Sequence, residues 1–142
     1  MEDQFVNEPL EKEPDAHKSY CVSPFTKSTG FTHLMKLVLC AKYSNEIENM
    51  IRKIINDNPS EINKMNYEGW TTLMIACRNS NTYSNINIVK LLLSQQDIDI
   101  NKQTEDGWTT LMLVCRISNA DSNIETVKLL LSHPNIDINK QT

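Results

Sequence analysis

The chain has 142 residues, 39% of them hydrophobic and 23% charged, with a formal net charge of −4. This is the size of one ordinary domain, with a composition suited to a globular fold. No apolar run approaches the roughly 18 residues needed to cross a membrane, and the start Met1-Glu2-Asp3-Gln4 has neither the basic flank nor the apolar core of a secretory signal.

The charge is unevenly placed. Residues 1–18 carry six acids against Lys12 and Lys18, which is −4, and residues 19–142 carry twelve acids and twelve bases, which is zero. The main body therefore lacks the positive excess that neutralises phosphates, which argues against a general nucleic-acid binder.

Residues 1–28 are acidic, hold three of the five prolines (Pro9, Pro14, Pro24) and show no hydrophobic period, so they read as a disordered tail. His17 and Cys21 stand four apart, a spacing two metal ligands can share, but no second pair follows. The four cysteines are too few and too widely spaced for a disulfide framework, and free thiols in a reducing compartment are expected.

From residue 29 the chain repeats itself. Residues 67–104 and 105–142 align without a gap, with 26 of 38 positions identical. A weaker copy occupies 29–66: Thr29-Gly30-Phe31-Thr32 stands where Glu68-Gly69-Trp70-Thr71 follows, and Glu61-Ile62-Asn63-Lys64 stands for Asp99-Ile100-Asn101-Lys102. Each unit divides alike. Thr71 or Thr109 precedes a short apolar stretch and can cap it as a helix. Leu73, Met74, Ala76 and Cys77 then share one helical face, a polar stretch follows (Asn79 to Asn85), and Ile86, Val89, Leu92 and Leu93 form a second apolar face. The segment Asp97 to Gly107 ends on a glycine suited to a turn of positive φ.

These units resemble ankyrin repeats. The pattern D-G-x-T-P-L-H-x-A, then V-x-x-L-L, then G-A-D-x-N is matched in Asp106-Gly107-Trp108-Thr109-Thr110-Leu111-Met112, Val127-Lys128-Leu129-Leu130-Leu131 and Ile136-Asp137-Ile138-Asn139. The resemblance implies an all-α fold, a solenoid of helix-turn-helix units joined by β-turn or hairpin-like loops, with 29–66 as a degenerate first unit. Three departures stand out. Met74 and Met112 replace a histidine that ties neighbouring turns together, so softer packing is expected. The period is 38 rather than about 33, most of the excess lying in Asn79–Asn85 and Ile117–Asn123. Lys36 and Lys42 mark the first unit's inner helix as a cap facing water. Such long-loop repeats are similar to those of ankyrin proteins of large DNA viruses and of organisms living inside other cells, which would make the partner a host protein. The location expected is intracellular and cytoplasmic, in the host cell if the chain is viral.

No residue set suggests catalysis. Cys77 and Cys115 take a small-residue position and read as buried structural thiols; no base is positioned beside them. His17, His33 and His133 occupy no equivalent repeat positions. The three glycines are turn glycines, so no phosphate loop exists, and no cofactor or metal is expected. The family resemblance implies instead a protein-binding surface on the concave side, at the turn tips and the ends of the first helices. Carried over by position, it consists of Phe31, Tyr67, Glu68, Trp70, Arg78, Asn79, Glu105, Asp106, Trp108, Arg116 and Ile117, with Thr29 and Cys40 in the first unit. Phe31, Trp70 and Trp108 follow successive turn glycines and would form an aromatic stripe that either braces the stack or anchors a partner. The last unit ends at Asn139-Lys140-Gln141-Thr142 with no polar cap, so its outer face is expected to expose apolar residues, to be covered by a partner, by self-association or by further repeats of a longer array.

Overall fold

The structure is a computed structural model, in which residues 30–40, 45–78, 86–117 and 124–142 are described. The tail read over 1–28, Lys42, and most of the polar stretches between paired helices lie outside these residues. Six helices follow in order among the described residues: α1 (His33–Cys40), α2 (Asn45–Asp57), α3 (Thr72–Arg78), α4 (Ile86–Leu93), α5 (Thr110–Ile117) and α6 (Ile124–Ser132). A 3-10 turn, Pro59–Asn63, follows α2.

The inner helices start where the sequence places a threonine. The Thr32, Thr71 and Thr109 hydroxyls accept from the N–H groups of Met35, Met74 and Met112 at 3.1, 3.2 and 3.3 Å. Each thus pairs one of the backbone donors that a helix start leaves without a partner inside the helix. Met74 contributes more than volume, because its sulfur accepts from the Thr71 N–H at 3.4 Å. It replaces by a weak local bond part of what a histidine would supply.

Packing is one-dimensional. Inner helix α1 lies against α3 and α3 against α5, while each outer helix packs on its own inner partner and α4 also meets α6. One core runs through all three units: Leu34 and Leu37 of α1, Leu73 and Ile75 of α3, Ile88 and Leu92 of α4, Val114 of α5 and Leu130 of α6 are buried together. No short amphipathic helix of 7 or 8 residues would be stable alone. Stacking supplies what local propensity cannot. The first unit corrects one expectation. Lys36 is only 5% exposed, because every residue from 34 to 39 is buried; α1 is not a cap with a wet face.

Two asparagines stitch consecutive units at the bases of their turns. Asn63 donates through Nδ2 to the Asp97 carbonyl at 2.6 Å and accepts at Oδ1 from the Asp99 N–H at 2.8 Å. One unit later Asn101 does the same with Asn135 (2.7 Å) and Asp137 (2.9 Å). Each side-chain amide reads both a donor and an acceptor of the next unit, which fixes the register between them.

Thr72 is fully buried and its hydroxyl has no hydrogen-bond partner. It occupies the first position of α3, where the ankyrin pattern has proline. A proline there loses no helical hydrogen bond, and Thr71 before it is already paired in an extended bridge with Met65. Replacing the hydroxyl removes an unpaired buried group and lowers the entropy of the unfolded chain. Thr72→Pro is therefore expected to stabilise the chain by about 1 kcal/mol, read as a higher midpoint in urea unfolding; a lower midpoint would show that the ring does not fit.

Candidate partner-binding site

The site is built on the turn tips of the second and third units. Each tip is a narrow hairpin closed by an isolated antiparallel bridge, Met65 with Thr71 and Gln103 with Thr109. Within it the N–H of Asn66 donates to the Trp70 carbonyl at 2.9 Å, and that of Thr104 to the Trp108 carbonyl at 2.8 Å. The Asn66 side chain accepts from the Trp70 N–H at 2.9 Å, and the Thr104 hydroxyl accepts from the Trp108 N–H at 3.1 Å. Two different side chains hold the two indole-bearing backbones in the same place.

Successive tips touch through their backbones. At Gly69, with φ +83°, an added Cβ would lie 2.7 Å from the Glu105 nitrogen and 2.9 Å from the Thr104 Cα. Only glycine permits both that φ and that approach. The Glu105 N–H in turn donates to the Glu68 carbonyl at 3.0 Å. At Gly30 the neighbour is a side chain instead: the Tyr67 ring comes within 2.6 Å of where a Cβ would sit.

Between the second and third tips lies a groove of about 190 Å³, lined by Glu68, Trp70, Thr104, Glu105, Asp106, Trp108, Leu113 and Arg116. Six of the expected binding residues meet there: Glu68, Trp70, Glu105, Asp106, Trp108 and Arg116. The Arg116 guanidinium stands over the Trp108 ring, 5.2 Å from its centre, within the range of a cation–π contact. Tyr67 is 76% exposed and lies over the preceding tip, outside the groove. Arg78 is half-buried at the end of α3. Ile117 and Cys40 close α5 and α1, whereas Thr29 and Asn79 lie outside the described residues.

Two expectations need correction. Phe31 is 4% exposed and belongs to the core, so the aromatic stripe is reduced to two half-buried indoles. Cys115 is exposed, not buried like Cys77. Cys77 sits on α3, flanked by inner helices on both sides, whereas α5 has only α3 beside it among the described residues. Burial pushes the Cys77 thiol far above its ordinary range, which leaves it protonated and without nucleophilic character. His33 is held below its usual value, first by burial and then by Lys36, with Glu61 opposing. Thr104 and Leu113 of the groove were not singled out from sequence. The available signal for Thr104 was a polar residue three positions before the turn glycine, as Asn66 is before Gly69.

A stack of paired helices with touching hairpin tips and a groove between them defines a helical-repeat solenoid that presents a surface. The ankyrin repeat pattern, in three copies, matches residues 37–142, and the chain belongs to the ankyrin repeat family. Ankyrin repeats are generally protein–protein interaction modules, and the family is one of non-catalytic scaffolds. Two curated relatives are ankyrin repeat proteins of Acanthamoeba polyphaga mimivirus. One is 40% identical over 49% of this chain and the other 37% identical over 42%. The chain spans only 12% and 10% of their lengths. Among the described residues no helix is long and apolar enough to cross a membrane, and no group of His, Cys, Asp and Glu could hold a metal ion.

The two indoles differ in their support. Trp70 packs against the shared core, and Trp108 does not reach it but stacks with Arg116. Trp70→Ala is expected to cost about 2 kcal/mol, less than a fully buried ring, and to lower the melting temperature by several degrees. Trp108→Ala is expected to cost about 0.5–1 kcal/mol. Equal losses in calorimetry would show that both rings brace the stack.

Proposed function

We propose that the chain is a protein-binding adaptor whose partner docks along the tips of the second and third units, with Trp70 and Trp108 as anchors. The observation that carries this reading is the groove itself, which gathers two indoles and an arginine between exposed carboxylates. Tryptophan and arginine are the residues most enriched at interface hot spots. At about 190 Å³ the groove is smaller than the roughly 300 Å³ at which small-molecule sites begin. It suits a side chain projecting from a partner's surface rather than a metabolite. Viral origin of the relatives supports a host protein as that partner, met in the host cytoplasm.

The test is affinity capture of the chain from an Acanthamoeba lysate, the cell in the relatives' name, with mass spectrometry of what is retained. One or two proteins retained in stoichiometric amount, and released by Trp108→Ala without unfolding, are expected. Retention unaffected by loss of both indoles would overturn the docking site.

A second reading, self-association, is favoured by the outer face of the third unit. There Ile124 and Ile138 are each 66% exposed and Leu131 is 51% exposed. Large side chains so placed mark contact surfaces. If this face pairs two copies, light scattering will show a defined oligomer that Leu131→Glu dissociates. A strictly monomeric chain at high concentration would set that reading aside.

A further inference from the structure

Resting on the docking site just proposed, we infer that the groove between the second and third tips receives a basic side chain, arginine or lysine, from an extended segment of the partner protein. The groove is lined by two indoles, Trp70 and Trp108, and by Glu68, Glu105 and Asp106. All three carboxylates are on exposed residues. Against them, among the described residues, the groove holds one cation, Arg116, so three negative charges face one positive charge. The uncompensated charge is negative, and it surrounds rings whose faces attract cations.

The Arg116–Trp108 contact shows the chemistry in place. A guanidinium already lies 5.2 Å from the centre of one of the two rings, on the wall of the groove. A second cation entering the groove would meet the carboxylates of Glu68 and Glu105, which are held together by the bond between their backbones. An acidic or wholly apolar segment would have to bring its own charge against three carboxylates or leave them without solvent and without a partner, and both are costly. The small volume fixes the size of the guest at one side chain, and an extended segment is what presents single side chains to a cleft.

The chain provides its own reporter. It has two tryptophans, and both line this groove, so intrinsic tryptophan fluorescence reports on the groove alone. The full chain is titrated with three end-capped peptides, alternating glycine with arginine, with lysine, or with glutamate. The arginine and lysine peptides are expected to give a saturable change that weakens as salt is added, and the glutamate peptide none. Neutralising the rim as Glu68→Gln, Glu105→Gln and Asp106→Asn together should weaken the basic peptides by about tenfold while leaving the melting temperature unchanged. Arg116→Gln removes the resident cation and should strengthen them severalfold, a response that a merely structural role for Arg116 would not produce. A glutamate peptide that binds as well, basic peptides with no saturable effect, or an affinity unmoved by rim neutralisation would each overturn the inference. The captured partner separates it from the docking site itself. Retention lost with Trp108→Ala but kept by the neutralised rim leaves the site standing and removes the cation; retention indifferent to both removes the two together.

Discussion

The backbone contact at Gly69 is the constraint on which the binding surface depends. Neither the second nor the third unit has a core of its own; their inner helices are 7 and 8 residues long and bury their apolar faces against neighbouring inner helices and their own outer helices. How closely the helices approach follows from how closely the tips approach. At Gly69 the next tip sits where a Cβ would be, and the Glu105 N–H reaches the Glu68 carbonyl. The asparagine bridges from Asn63 and Asn101 fix the same spacing at the bases of the turns. With tip and base both pinned, the separation of Trp70 and Trp108 is set by main chain, and the groove between them is preformed. Preformed sites lose less on binding than sites that must order first.

Other polar contacts contribute far less. The ion pairs Arg52–Glu48, Lys64–Glu61 and Lys90–Glu125 lie on the surface, the last at 3.7 Å, and exposed pairs of this kind are worth little. Burial does the holding, and it is graded along the stack. Leu73, Met74 and Ile75 are fully buried on α3, while their counterparts Leu111, Met112 and Leu113 on α5 are only half-buried. The third unit is therefore the first place where the array should open. Most of the groove belongs to that unit. A partner bound there would add contacts where the chain has fewest, so binding and stability of the last unit are coupled.

Much of this was legible in the sequence because the repeat multiplies each signal. The capping threonines, the turn glycines and the apolar faces of the helices recur at fixed offsets, and each took the expected place. What the repeat could not convey is that identical positions acquire different neighbours along a stack. Phe31 stands where the two tryptophans stand, yet it is sunk in the core. Cys115 matches Cys77, yet only Cys77 lies between two inner helices. Lys36 was read by its charge alone, and its helix is enclosed. Thr104 and Leu113 escaped notice for a related reason. Their place in the groove arises from the approach of two units and not from any pattern within one.

The two junctions show how little is needed to open a groove. At the first, the residue two before the turn glycine of the second unit is Tyr67, whose ring lies over Gly30, while Phe31 turns inward. At the second, the equivalent residue is Glu105. Its backbone takes up the contact with Gly69, the residue is exposed at the rim, and both indoles stay only partly buried. The frame is the same at both junctions, since the capping threonine, the turn glycine and the asparagine bridge are shared. Between the two tips and their inner helices the groove positions that change are Asn66 to Thr104, Tyr67 to Glu105, Glu68 to Asp106 and Ile75 to Leu113. The two indoles and the arginine position are repeated with the frame, and the rim positions around them are varied. That division is what a scaffold requires if it is to keep one fold while the surface it presents determines the choice of partner.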